Sequence, residues 1–212
     1  RRFAAENQFI KKLVDEGRLG RITSATVEVA LWRTQEYYDS GAWRGTWALD
    51  GGGALMNQGV HLVDLALWLL GDVEEVYAHT GLLAHENIEV EDTVTLTARL
   101  RSGALLTFLA STSAYGELPI RMSVMGDQGC VVTESERITR FQTATEEELP
   151  SFAAVDQQLA QLHDFVAAVR GERPPLVTAA QARSAVAFIE AVYESGRTGR
   201  PVAPSPVPAQ VR

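Results

Sequence analysis

Hydrophobic and polar residues recur with two different periods along the chain, and each period predicts one type of secondary structure. Apolar residues spaced three or four positions apart predict helices at residues 3–16, 54–70, 154–170 and 179–195. Alternation with a period of two predicts strands at residues 21–33, 73–83, 93–101, 104–111, 119–125, 130–133 and 138–142. Residues 34–50 follow neither period, which predicts an irregular loop rich in aromatic side chains.

The connections between successive strands predict how the sheet is assembled. Short turn segments, such as 101–103 and 126–129, separate the strands beyond residue 72. Because parallel neighbours need a crossover of a dozen or more residues, these strands are expected to pair as antiparallel hairpins. The sequence therefore predicts an α+β fold, with a mostly antiparallel, open-faced β-sheet and helices packed on one face. We expect this domain at residues 1–202, followed by a disordered, proline-rich tail at residues 203–212.

Composition narrows the class of protein. The chain has 212 residues, 46% of them hydrophobic, and a net charge of −8, which is typical of a globular domain. The acidic balance argues against a nucleic-acid partner, and no apolar stretch approaches the ~20 residues that span a membrane. The chain starts with Arg1 and not with Met, which we interpret as a cut end. It shows no signal-peptide pattern, so a cytoplasmic location is the default expectation.

Candidate chemistry lies on the predicted helix at residues 54–70. At about 100° per residue, the polar positions fall within one stripe of roughly 60° on an otherwise apolar helix; they are Asn57, His61 and Asp64, joined by Trp68. Polar groups on a buried helix must be hydrogen-bonded inside the protein or line a pocket. His61 is the first candidate for proton transfer, because an imidazole titrates near pH 7. The alternative is a satisfied core network in which Asp64 orients His61.

The same helix opens with three glycines: Gly51, Gly52 and Gly53. Free backbone N–H groups there could meet a phosphate or another anion, but a tight turn into a buried helix explains the glycines equally well. No Gly-x-Gly-x-x-Gly pattern accompanies them, so they are not a dinucleotide signature. No metal site is expected, since the polar stripe offers one good ligand and no second histidine at helical spacing.

Aromatic residues surround a lone arginine just upstream. Arg44 follows Trp43, and its planar guanidinium would suit a carboxylate, a phosphate or a sugar. Tyr37 and Tyr38 could supply hydroxyls or a stacking face. The alternative for these tyrosines is a packed aromatic corner that anchors the long loop.

Taken together, these segments resemble a known family. The resemblance rests on the runs Trp43-Arg44-Gly45, Asp50-Gly51-Gly52-Gly53-Ala54-Leu55 and Asn57-Gln58-Gly59-Val60-His61-Leu62-Val63-Asp64. They are similar to the second domain of the glucose–fructose oxidoreductase / inositol dehydrogenase / rhizopine-catabolism (Gfo/Idh/MocA) family. The flanking segments agree, so the resemblance covers essentially residues 1–202.

The resemblance implies one half of a two-domain NAD(P)-dependent dehydrogenase acting on CH–OH groups. Its C-terminal domain resembles that of glyceraldehyde-3-phosphate dehydrogenase. The implied reaction moves a hydride between nicotinamide and a sugar, cyclitol or nucleotide sugar. NAD or NADP would be bound mainly by an N-terminal Rossmann domain absent from this chain, so this chain alone is expected to be inactive. That domain would also supply a lysine, and the only lysines here, Lys11 and Lys12, lie on the first predicted helix. The implied partners are a sugar-like substrate and a second copy of the chain, bound through the open sheet face.

Carried over by position, the resemblance also implies roles for single residues. His61 would be the catalytic proton donor or acceptor. The implied substrate-binding residues are Asn57, Gln58, Arg44, Trp43 and Tyr38, and the implied structural or orienting residues are Asp64, Gly51, Gly52 and Gly53. Many family members have an aspartate where Asn57 stands, and an amide cannot take up a proton, so Asn57 could only position the substrate or His61. This departure keeps an alternative open, a non-catalytic sugar-sensing or scaffold module of the same fold.

Overall fold

A computed structural model describes residues 1–206, which form one seven-stranded sheet with helices on it. The strands are β1 (Ile22–Ala30), β2 (Val73–Gly81), β3 (Thr93–Leu100), β4 (Leu105–Ser111), β5 (Arg121–Gly126), β6 (Gly129–Glu134) and β7 (Arg137–Thr143). The helices are α1 (Ala5–Asp15), α2 (Gln35–Asp39), α3 (Val60–Leu70), α4 (Gln157–Val169) and α5 (Ala179–Thr198). The α+β prediction is therefore confirmed, since every predicted strand forms and the sheet is mostly antiparallel.

The order of the strands differs from a simple chain of hairpins. The sheet runs β2-β3-β4-β1-β5-β6-β7, with β1 parallel to β4 and every other neighbouring pair antiparallel. Strand β1 thus lies between β4 and β5, which the sequence predicts as neighbours. Residue Val27 of β1 faces Phe108 on one side and Met122 on the other. The long stretch between β1 and β2 lets β1 enter the centre of the sheet, because a distant strand is not restricted to hairpin pairing.

One face of the sheet packs against α3 and α5 to form the core. Side chains alternate along the strands, so that Leu96 and Phe108 point into the core while Thr95 and Thr107 point to the other face. From the helices, Val63 and other apolar residues of α3 and α5 fill the space above the sheet. Helix α4 differs, because it leaves large apolar side chains exposed: Leu159, Leu162, Phe165, Val166 and Val169. The prediction of helices on one face therefore holds for α3 and α5, while α4 presents an uncovered apolar side.

The segment that carries the candidate chemistry is not one continuous α-helix. A π turn over residues Leu55–Gly59 precedes α3. A π turn holds more residues than an α turn, so the constant step of 100° assumed for the polar stripe is not kept here. The loop at 34–50 also contains a short helix, α2, whose start is capped by the hydroxyl of Thr34, which accepts the backbone N–H of Tyr37.

The end of the described chain lies against the edge strand β2. Val202 and Val76 exchange two backbone hydrogen bonds of 2.9 Å. Of the tail predicted to be disordered, residues 207–212 lie outside the described part of the structure. Within the described part, no helix combines the length and the apolar character needed to cross a bilayer.

Candidate functional site

The three glycines bring the chain against a buried carboxyl group. Glu91, which is 5% exposed, accepts the backbone N–H groups of Gly53 and Leu55 at 3.0 Å each and the hydroxyl of Tyr193 at 3.1 Å. A Cβ on Gly53 would lie 1.7 Å from the backbone oxygen of Glu91, so only glycine fits there. Burial raises the pKa of Glu91, while these three donors act in the opposite direction. The anion at the start of this segment is therefore the protein's own side chain, which supports the tight-turn interpretation of the glycines.

Asn57 is held by a second acidic residue. Its side-chain amide donates to Asp50 at 2.7 Å and to the backbone oxygen of Gly52 at 3.3 Å. The other carboxylate oxygen of Asp50 accepts the backbone N–H of Gly45 at 2.8 Å. Asp50 thereby ties the loop that carries Arg44 to the π turn that carries Asn57. The amide donors of Asn57 are occupied, so what it offers a ligand is its oxygen.

His61 is solvent-exposed at the start of α3, next to the π turn. Its ring nitrogens make no hydrogen bond to any of residues 1–206. Partial burial lowers the pKa of His61, and the positive charge of Arg1 lowers it further, while Asp64 acts in the opposite direction. At neutral pH the imidazole is therefore mostly neutral and able to accept a proton.

Asp64 does not orient His61, contrary to the network considered above. Its two carboxylate oxygens accept the guanidinium of Arg2 at 2.6 and 2.9 Å. Arg2 is 3% exposed, also donates to Gln181, and lies over the ring of Trp68. Both Asp64 and Trp68 therefore serve to attach the first residues of the chain to α3. The bidentate guanidinium pair is stronger than a hydrogen bond to a neutral imidazole, which explains the choice of partner.

Arg44 lies between aromatic side chains on the loop before the glycines. Its central carbon is 4.3 Å from the ring centroids of both Tyr37 and Trp43, and one terminal nitrogen donates to the Tyr37 hydroxyl at 2.8 Å. Its Nε is buried and has no partner among the described residues, and the same is true of the side-chain oxygen of Gln58. An unsatisfied buried donor and acceptor are rare in folded proteins and mark places where a ligand or water belongs.

Tyr38 lies in a packed corner. It is 6% exposed, its hydroxyl shares a 2.8 Å hydrogen bond with Thr112, and its ring meets that of His85 at 4.7 Å. His85 is itself fully engaged, with Asp92 at one ring nitrogen and the backbone oxygen of Arg33 at the other. This geometry favours the packed-corner interpretation of Tyr38 and identifies His85 as a structural histidine.

Within residues 1–206 the arrangement presents a proton acceptor, and neither a metal-ligand cluster nor a dinucleotide fingerprint accompanies it. Among residues 1–206, no three His, Cys, Asp or Glu side chains come together as metal ligands would. A dinucleotide would need a Gly-x-Gly-x-x-Gly turn between a parallel strand and a helix, and the parallel pair β1–β4 has none. A cleft of about 700 Å³ behind the glycine turn is lined by Trp47, Leu82 and Tyr193, among others, and includes neither His61 nor Arg44.

Several residues of the site escape reasoning from local patterns. Glu91, Tyr193 and Arg2 act on residues far from them in sequence, and no periodicity reports such contacts. Asp50 could have been noticed, because it directly precedes the three glycines in the run that carries the family resemblance. Tyr37 supports Arg44 with its hydroxyl and its ring, which are the two contributions that the sequence suggests for it beside the packed aromatic corner.

Comparison with known proteins adds the following matches. A family model described as the GFO/IDH/MocA C-terminal domain matches residues 7–132. The fold is similar to that of the WlbA dehydrogenase from Bordetella pertussis, solved in complex with NADH and UDP-GlcNAcA. The TM-score is 0.86 at 35% identity, over 98% of this chain and 62% of that one. The corresponding complex from Chromobacterium violaceum gives a TM-score of 0.85 at 34% identity, over 98% of this chain and 61% of that one.

A more distant match points to the same class of protein. The aldose–aldose oxidoreductase from Caulobacter crescentus, complexed with glycerol, gives a TM-score of 0.81 at 26% identity, over 95% of this chain and 61% of that one. The chain thus spans about three fifths of the length of these structures.

Proposed function

The chain belongs to the GFO/IDH/MocA family and forms its C-terminal domain, and we propose that it supplies the substrate side of an NAD-type dehydrogenase. The substrate class we propose is a nucleotide-linked sugar with an oxidisable hydroxyl group. The two WlbA structures, at 35% and 34% identity, support this class, since both hold NADH and UDP-GlcNAcA. The family resemblance fits the same reaction.

One observation carries the proposal: the state of His61. A structural histidine in a core is engaged at both ring nitrogens, as His85 is. His61 has no such engagement within residues 1–206, and its lowered pKa keeps it neutral at neutral pH. A neutral, accessible imidazole can accept the proton of a sugar hydroxyl while the hydride leaves the carbon that bears this hydroxyl.

The other side chains of the site would hold the sugar. The side-chain oxygens of Asn57 and Gln58 make no hydrogen bond within residues 1–206 and would accept sugar hydroxyl or amide N–H groups. Nicotinamide, bound by a domain outside this chain, would take up the hydride. We therefore expect the 212-residue chain alone to show no turnover.

A substitution of His61 tests the proposal in the two-domain parent protein. His61→Ala should lower turnover of UDP-GlcNAcA by roughly 10²- to 10⁴-fold, measured by NADH formation. His163→Ala, which removes an exposed histidine of α4, is the matched control and should leave turnover unchanged. Turnover within a few-fold of the wild type in the His61 variant would remove His61 from the mechanism. A parent that binds the nucleotide sugar but never reduces NAD, with His61 intact, would support the alternative of a non-catalytic module.

We also propose that the uncovered sheet face joins two copies of the chain. This face carries Tyr77, Leu105 and Leu109 between polar side chains, and no helix of the described residues covers it. Sedimentation of the chain should show a dimer or larger assembly. Tyr77→Arg, which places a charge on this face, should shift the assembly toward monomer. A wild-type chain that sediments only as a monomer would contradict this part of the proposal.

A further inference from the structure

Arg44 has no anionic partner among the described residues. Across residues 1–206 no carboxylate lies within 4.0 Å of its guanidinium, although the chain carries a net charge of −8. Other arginines near the site are paired, Arg2 with Asp64 and Arg33 with Glu117. A partly buried charge without a partner is unfavourable, and a nearby carboxylate would reduce this cost. The missing anion is therefore expected to come from outside the chain.

The side of the guanidinium that has no partner within residues 1–206 has a specific shape. One terminal nitrogen is used by the hydroxyl of Tyr37. The buried Nε has no partner, and the second terminal nitrogen makes no hydrogen bond within the described residues. These two nitrogens lie on one edge of the guanidinium and point their N–H bonds in parallel, which matches the two oxygens of a carboxylate. Contact with the rings of Tyr37 and Trp43 holds that edge in place.

Arg44 is also tied to the candidate site through backbone and side chain. The N–H of the next residue, Gly45, is bound by Asp50, and the same carboxylate holds the amide of Asn57. Asn57 lies one helical turn before His61. A ligand bound by Arg44 is therefore connected by a short, rigid set of hydrogen bonds to the residues that would hold the reacting sugar.

We propose that Arg44 binds a carboxylate on the sugar of the substrate and makes the site selective for uronic acids over neutral sugars. This inference rests on the proposed function, because it takes the ligand of the site to be a sugar. It assigns to Arg44 the discrimination between two sugars that differ only in a carboxylate or a hydroxymethyl group.

Titration of this chain with two matched ligands, followed by NMR, tests the inference. UDP-GlcNAcA carries the carboxylate, and UDP-GlcNAc has the same diphosphate but an uncharged sugar. The Nε–H signal of Arg44 should shift on addition of UDP-GlcNAcA, and UDP-GlcNAcA should bind roughly 10- to 100-fold more tightly than UDP-GlcNAc. In Arg44→Gln this preference should fall to about onefold, and Arg44→Lys, which keeps the charge but not the fork, should retain only a part of it. Arg33→Gln is the matched control, since Arg33 also lies over Tyr37 but is paired with Glu117, and it should keep the full preference.

The possible results separate this inference from the proposed function. If Arg44→Gln weakens both ligands equally, Arg44 binds the diphosphate and the carboxylate assignment is wrong. Equal affinity of the wild-type chain for both ligands, or no shift of the Arg44 signal, overturns it as well. Because binding is measured without the cofactor, a preference for the acid that depends on Arg44 would stand even if His61→Ala left turnover intact and the proposed reaction failed.

Discussion

The carboxyl group of Glu91 is expected to stabilise the start of the site segment, and its removal gives a quantitative test. In Glu91→Ala the N–H groups of Gly53 and Leu55 and the hydroxyl of Tyr193 lose their acceptor in a place where the carboxyl was 5% exposed. A buried donor without a partner costs about 1–3 kcal/mol. The low end applies, because burying the carboxyl itself is unfavourable, as its raised pKa shows. Three donors at that low end predict a loss of about 3 kcal/mol in the free energy of unfolding.

The conservative variant has a smaller expected effect, which follows from how the bonds are shared. One oxygen of Glu91 accepts both Leu55 and Tyr193, and the other accepts Gly53 alone. In Glu91→Gln the amide oxygen can keep the first pair, while the amide nitrogen faces the N–H of Gly53. One unsatisfied donor predicts a loss of about 1–2 kcal/mol.

Urea denaturation followed by circular dichroism measures both variants. With a slope of about 2 kcal/mol per molar urea, Glu91→Ala should lower the midpoint by about 1.5 M, and Glu91→Gln by roughly half as much. Glu74→Ala is the matched control, because Glu74 is exposed on β2 and makes no side-chain hydrogen bond within residues 1–206; it should stay within about 0.5 kcal/mol of the wild type. A Glu91→Ala variant that also stays within that limit, or equal losses in both Glu91 variants, would show that these hydrogen bonds do not stabilise the segment as expected.

Three further predictions follow from the same geometry. Gly53→Ala should lower the free energy of unfolding by more than about 3 kcal/mol, because its Cβ would overlap a backbone oxygen at 1.7 Å. Gly51→Ala should lower it by only about 1–2 kcal/mol, because Gly51 has open space around it and a φ of +76°. Equal losses of the two variants in denaturation would contradict this prediction. Arg2→Met should lower the free energy of unfolding by about 3 kcal/mol, because it leaves the Asp64 side chain, which is 23% exposed, without its partner. A loss below about 1 kcal/mol would show that the pair does not stabilise the fold. Because the pKa of His61 is lowered below 6.5, the folded protein favours the neutral imidazole. The pH profile of kcat/KM for sugar oxidation by the parent protein should therefore fall toward acid with its midpoint below pH 6.5, and a midpoint above that value would contradict the assignment.

Local patterns in the sequence are sufficient to locate most elements of the fold. The period of two places all seven strands within a few residues of where the structure has them, and the helical period places α1, α3, α4 and α5. These patterns work because each element buries one face, and burial of alternate or helically spaced side chains leaves a periodic record in the sequence. The π turn at Leu55–Gly59 left no such record, since one extra residue per turn hardly changes an apolar segment.

The partners of the site residues are a different matter. The sequence alone indicates that Asn57, His61 and Asp64 share one segment and that Arg44 lies near aromatic rings. Only the tertiary structure decides that Asp64 pairs with Arg2, 62 positions away, and that His61 makes no hydrogen bond within residues 1–206.

The same holds for the glycine turn and for the centre of the sheet. The sequence determines that three glycines precede the helix, but the structure shows that Glu91, 38 positions further on, supplies the anion there. The structure also places strand β1 between β4 and β5. The physical reason is common to these cases: a hydrogen-bond partner or a strand neighbour depends on which distant segments meet when the core is packed, and periodicity reports only which side of each segment is buried.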